Sequence, residues 1–415
     1  MPFSDASLTA LRVALETSFG SGVANGQGWL ECRQVNEDLA GTKEVVTSDE
    51  ITPDRMPPDN INVGSGGSGT WTADLTGGFS LVPAGESWDK FFRCGLGSTS
   101  YSTPIGVNLT GAATLTPANA VDPDEITVAI TGTPAVWPAW VNGEFITWAG
   151  WSGVRSVLNS VYKVKSGGGT ATVTLSSGPR VPASPGTQPG TGVSVFTLGS
   201  VTNGSIFNSM VIERQYSVAS QFAQMTGFYI AGFDVDMQPK RPCRLTWNFI
   251  GKDEASNTVT IGVTPSPASI AKALVLGNDL RSFSLDENGH DFFLNSFKMS
   301  VKSGAYPQDE RAGTVGPIGI GLGTFGITGR YEFYYSNDTI AAGTVHDQYQ
   351  KFTDKELHVG LANANGEWFF IHLPRINWTN GNRGTPGKDQ PVKGWVEFQA
   401  AKGTGFPYMV KVGRL

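Results

Sequence analysis

Phe233-Asp234-Val235-Asp236-Met237-Gln238, a turn at Pro239 to Pro242, and Cys243-Arg244-Leu245-Thr246-Trp247-Asn248-Phe249 decide the fold class of this chain. Successive side chains of a β-strand point to opposite faces, so a strand with one buried face is apolar at every second position. Phe233, Val235 and Met237 alternate with Asp234, Asp236 and Gln238; after the turn, Cys243, Leu245, Trp247 and Phe249 alternate with Arg244, Thr246 and Asn248. The segment reads as a β-hairpin with one dry face and one wet or interfacial face.

The same period recurs near the end of the chain. Leu373-Pro374-Arg375-Ile376-Asn377-Trp378 leads into a polar loop, Thr379 to Pro391, and then into Val392 to Ala401. In that last stretch Val392, Gly394, Val396 and Phe398 take one face, and Lys393, Glu397 and Gln399 take the other. Composition agrees with a chain of short strands and many turns: 53 Gly and 24 Pro in 415 residues, with only 16% charged. Two short helices are expected. Trp88, Phe91 and Phe92 recur at i, i+3 and i+4 in Ser87 to Cys94, and Val218, Gln221, Phe222 and Met225 do so in Ser217 to Met225. The expected class is mainly β.

The chain divides into three regions. Residues 1–104 carry an N-terminal arm, strands around Trp29 to Val35 and Thr70 to Leu75, and the first helix. Residues 105–200 hold Ile126 to Ile130, Phe145 to Trp148, Val161 to Val164 and Thr170 to Leu175, enough short strands for a small inserted β-barrel or sandwich. A Pro/Gly/Ser/Thr linker, Gly178 to Gly192, closes this insertion. Residues 201–415 return to the earlier pattern. A faint internal echo links Gly69 to Leu75 followed by Trp88 to Phe91 with Gly329 to Tyr335 followed by Tyr349 to Phe352; chance similarity and duplication both account for it.

The terminal block, ending in Phe406 to Leu415, resembles the C-terminus of tail tube proteins of long-tailed bacteriophages with non-contractile tails. Leu11 to Gly20 looks like the opening of that family, and Ile51 to Asp74, with Asp54-Arg55 leading through a Gly-rich turn into Thr70-Trp71-Thr72-Ala73-Asp74, looks like its first long strand. Ile212 to Asp253 resembles its middle block of a strand, a short helix and a hairpin. The order of these patches carries the likeness. It implies a tube-type β-sandwich or barrel core, six subunits per ring, and rings stacked around a tape measure protein and later the genome. It further implies a tail terminator and a distal tail protein as partners, a place in the virion tail after assembly in the host cytoplasm, no cofactor and no catalysis.

A conduit must not hold its cargo, and basic residues facing the lumen would bind phosphate through counter-ion release. The formal charge of −6 and the scattered lysines and arginines fit such a surface. Thr70, Thr72, Asp74, Asp234, Asp236, Thr246 and Asn248 are the candidate lumen-facing residues, since the polar face of a sheet in a tube meets the lumen or a neighbour. Residues 1–24 and the loop Thr42 to Gly64 read as mobile segments that order against the next ring. Asp49, Glu50, Asp54, Arg55 and Asp59 are their candidate contacts.

The competing reading is a carbohydrate-binding β-protein. Trp137, Trp140, Trp148 and Trp151 cluster in the insertion; exposed, they could stack on sugar rings, and buried, they would fill a small core. A third reading, a glycoside hydrolase, has only Asp234 and Asp236, about 7 Å apart on one strand face. His290, His346, His358 and His372 show no metal-ligand spacing. Gly64 to Gly69 and Gly321 to Gly326 match G-x-G-x-x-G, but strand-like sequence follows each, where a dinucleotide site needs a helix N-terminus. Cys32, Cys94 and Cys243 are widely spaced and read as free thiols, no signal peptide is evident, and no window is apolar enough to cross a membrane as a helix.

Overall fold

The computed structural model describes residues 9–21, 29–32, 34–47, 60–76, 87–103, 105–117, 126–131, 134–151, 159–176, 186–189, 192–216, 221–260, 274–285, 294–308, 316–334, 354–363, 367–383, 391–403 and 405–414. The chain is mainly β, every named pairing is antiparallel, and among the described residues no sheet closes into a barrel.

The organising element is the strand Gln221–Met237, which serves two sheets. Its first half lies between Met210–Tyr216 and Asp253–Asn257, in a sheet that continues through Thr9–Leu15 to Leu30–Cys32. Its second half lies between Arg244–Gly251 and Leu294–Lys302. The change of partners falls at Gly227, whose φ of +67° is open to glycine and strained for other residues. A Cβ there would stand 2.8 Å from Cβ of Lys252. From Arg244–Gly251 the second sheet runs to Asn60–Asp74 and its hairpin partner Ala40–Thr47, and from Leu294–Lys302 through Gly326–Tyr334 and Lys393–Ala400 to Trp368–Arg383. That last strand also pairs with Lys355–Ala362 and Lys411–Arg414.

The dry face of the quoted hairpin is buried as its alternation predicts. Phe233, Leu245 and Trp247 are fully shielded, and the single described α-helix, Ser87–Leu96, lies over them. Phe92 meets Trp247 edge-on at 4.9 Å, Phe91 lies 5.2 Å from it and Trp88 stacks on it at 6.3 Å. Phe92 also reaches Phe369, 5.6 Å away on the neighbouring long strand, so one amphipathic helix ties the halves of the chain into one core. Arg414, paired with Asp89, fastens the last strand to the same helix.

Several expectations are corrected. Within Ser217 to Met225, residues 221–225 are strand, and 217–220 lie outside the described residues. The buried Gln224 interrupts the period-two pattern: its amide donates to Glu213 at 3.0 Å, so a polar side chain occupies a shielded site and the apolar residues fall at helical spacing. The arm is anchored from Thr9, because Leu11, Val13 and Ala14 are buried in the first sheet. Ala40–Thr47 and Asn60–Asp74 form a ladder that occupies both ends of the expected Thr42 to Gly64 loop. Its many glycines have a packing reason at one rung, where Gly67 faces Gly251 and a Cβ on either would enter the Phe228 ring. The Thr379 to Pro391 loop is shortened by a strand that persists to Arg383, and the linker after residue 178 contains the strand Gly186–Pro189. The second half of the echo, Tyr349 to Phe352, lies outside the described residues.

Strands between residues 106 and 197 make a separate eight-stranded sheet, whereas Gly199–Thr202 already pairs with Lys411–Arg414 of the main body. Trp137, Trp140, Trp148 and Trp151 are buried in the core of this insertion, with Trp137 stacked on Trp140 at 5.6 Å and edge-on to Trp148 at 5.6 Å. The surface assignment of these four is therefore overturned. A small β-unit has little volume of its own, and large indoles supply the area it must bury.

Candidate functional site

The wet face of the hairpin is one part of a much wider polar surface. Cross-strand partners point to the same side of a sheet, so the register fixes which residues are neighbours. One row runs Thr72, Thr246, Asp234, Ser300, Thr328, Gln399, Asn377. The next runs Asp74, Arg244, Asp236, Lys298, Arg330, Glu397, Asn380. Thr70 and Asn248 begin a third, which passes Gly232 to Lys302. At about 4.8 Å per strand, each seven-residue row is about 29 Å long. None of these side chains is buried, while the opposite face of the same strands carries the aromatic core.

All seven residues singled out from the hairpin and the Thr70 strand thus come together. Asp234 accepts from Asn248 at 3.4 Å, and the Thr72 and Thr246 hydroxyls meet at 3.2 Å. The row of charges is threaded by ion pairs, Arg244 with Asp74 at 3.3 Å and Lys298 with Asp236 at 3.4 Å. Beside it Arg330 meets Glu332 at 2.9 Å and lies 4.3 Å from the Trp395 ring, and Arg375 meets Asp354 at 2.6 Å. A groove of about 610 Å³ follows the middle of the face, along Asp234, Asp236, Lys298, Arg330 and Glu397. The face is of mixed sign, where the residues singled out from the sequence were neutral polar or acidic. Lys298, Ser300, Thr328 and Arg330 were missed. Their two strands alternate, but only the register places them beside a hairpin more than 45 residues earlier in the chain.

A family model described as phage tail tube protein matches residues 6–400. The chain belongs to that family. No curated relative matches it. As a phage tail tube protein it is a structural component of the virion tail that assembles with its own copies into a tube. The separate eight-stranded sheet lies inside the matched span.

The tube protein's second polar cluster was not visible in the sequence. Lys163 of the insertion reaches Glu356 of the main body at 2.7 Å, and Glu356 also accepts from His372 Nε2 at 2.9 Å. The other nitrogen of His372 lies 3.2 Å from the Tyr408 hydroxyl. Around the cluster Phe145 and Val161 of the insertion pack on Ala362, Trp368 and Phe370. Burial alone would raise the Glu356 carboxyl, but the His372 hydrogen bond, the charge His372 carries once it is protonated, and the Lys163 ammonium outweigh it and hold it down to about 2. Burial keeps His372 and His358 neutral, with His358 pushed down to about 3. The cluster is a dry joint between two β-units, in keeping with a structural role, and no group of three or more metal-ligating side chains gathers among the described residues. Asp236 is taken up by Lys298 and by Gln238, so the paired-carboxylate reading gains no support. The five candidate inter-ring residues, Asp49, Glu50, Asp54, Arg55 and Asp59, lie outside the described residues, as do His290 and His346.

Proposed function

We propose that this protein closes into six-membered rings that stack into the tail tube, and that the polar rows on the second sheet line the channel through which DNA leaves the virion. The observation that carries the reading is the seven-strand polar face itself. It is too wide and too evenly hydrophilic for a surface that must be buried dry, and it is backed by a core that makes it stiff. Among the described residues Ala40–Thr47 pairs with Asn60–Asp74 alone, and such an edge is the natural place for a neighbouring subunit to add. Asp49, Glu50, Asp54, Arg55 and Asp59, which fall between these two strands in the sequence, are the proposed contacts with the next ring. The tape measure protein, tail terminator and distal tail protein complete the set of partners.

Electron microscopy of the purified protein tests ring formation. Thr328→Cys, in a background with the three native thiols replaced, tests the face. In assembled tubes this cysteine should react with a small maleimide and resist one carrying a large polymer, because only the small reagent diffuses along the bore. Equal reaction with both reagents puts the face on the outside. Reaction with neither buries it between subunits.

A further inference from the structure

A channel for DNA would ordinarily avoid cations, yet Arg244, Lys298 and Arg330 stand on this face. Each has a carboxylate beside it: Asp74 at 3.3 Å, Asp236 at 3.4 Å and Glu332 at 2.9 Å. These are solvent-accessible pairs, which contribute little to stability. Their arrangement has another consequence. A phosphate gains affinity for a cation by releasing the condensed counter-ions of the nucleic acid, and it gains little where a fixed carboxylate already neutralises that cation. We propose that Asp74, Asp236 and Glu332 are built-in counter-ions, which keep Arg244, Lys298 and Arg330 from capturing a polyanion while leaving the face strongly hydrated.

The inference rests on the channel reading for its biological meaning, but the pairing can be measured without it. Asp74→Asn, Asp236→Asn and Glu332→Gln are combined in the unassembled full-length chain. Binding of a fluorescent duplex is then followed from 50 to 200 mM salt. A control chain, Glu31→Gln, Glu144→Gln and Asp253→Asn, has the same net charge with its changes off the face. Three freed cations should give a slope of log affinity against log salt of about −2.7, an affinity loss of about 40-fold over that range. The parent chain and the control should bind no more than weakly. Adding Arg244→Gln, Lys298→Gln and Arg330→Gln to the triple variant should abolish the gain. Equal binding by the triple variant and the charge-matched control overturns the proposal, as does binding that survives removal of the three cations. Failure of the Thr328→Cys experiment would instead displace the channel and leave this result standing.

Discussion

Replacing Lys163 by Met removes one charge from the joint between insertion and body and keeps an unbranched side chain of similar length. Lys163 and Glu356 retain only 6% and 14% of their side-chain exposure, so Glu356 cannot exchange its partner for bulk water. Breaking a buried ion pair from one side costs about 3–5 kcal/mol. The proton linkage of Glu356 sets the scale of the whole cluster, to which His372 contributes ahead of Lys163. A carboxyl held at about 2 against an ordinary 4.5 represents about 3 kcal/mol, at about 1.4 kcal/mol per unit. Because the folded value is depressed, this contribution is complete above about pH 4.5 and is lost as the pH falls towards 2. Lys163→Met should therefore lose about 3 kcal/mol at pH 7, and the gap from the parent should narrow as the pH drops through that window. His358 and His372, kept neutral by burial, add a fall in stability below their ordinary 6.5 in both proteins. Adding Glu356→Gln to the variant removes the stranded charge while its carbonyl still accepts from His372, and should restore all but about 1 kcal/mol. Urea unfolding followed by tryptophan emission reports both β-units, since four of the eleven indoles lie in the core of the insertion and others in the main body. Hydrogen exchange in Val161–Ser166 and Trp368–Arg383 localises the effect. A loss below 1 kcal/mol, or no recovery on adding Glu356→Gln, refutes the reasoning.

Trp247→Ala, beneath Trp88, Phe91 and Phe92, should cost about 3–5 kcal/mol in the same unfolding assay, and a loss under 1 kcal/mol would mean that the helix does not depend on that ring. Gly227→Ala forces a side chain into a positive-φ site against Lys252 and should lower stability by at least 1 kcal/mol; an unchanged midpoint would show that the strand does not bend there. Replacing residues 106–197 by a short Gly/Ser linker should leave the remaining sheets folded by circular dichroism but expose Ala362, Trp368 and Phe370. Tubes seen in the microscope would make the insertion dispensable, and a folded body that no longer polymerises would assign it ring or stacking contacts. Residues 42–47 and 60–64 should be protected from exchange before assembly, since their ladder lies within one subunit; protection gained only in tubes would make the hairpin a product of stacking. Arg55→Glu should weaken stacking more at low salt than at high salt, and a salt-independent loss would point to a buried role.

The sequence by itself determined the local structure. Alternation in Phe233 to Phe249 specified strands with the correct buried face, and in Val392 to Ala401 it did so for Gly394, Val396 and Phe398, whereas Val392 precedes the strand and is exposed; Trp88, Phe91 and Phe92 at helical spacing specified the helix. These are short-range signals, fixed by where successive side chains point. The separate strand set of the insertion was also legible. Where a buried polar residue interrupts the period, as Gln224 does through Glu213, the local signal misleads and only the pairing of distant strands corrects it. The same limit hid the site. Asp236 could be read as polar and outward, but that it meets Lys298, that Lys298 lies beside Arg330, and that Arg330 lies beside Glu397 follows from register, which no local window contains. Whether four tryptophans face water or a core, and whether Glu356 meets Lys163 across a joint between β-units, is likewise decided by long-range packing: burial belongs to the assembled fold and not to the residue.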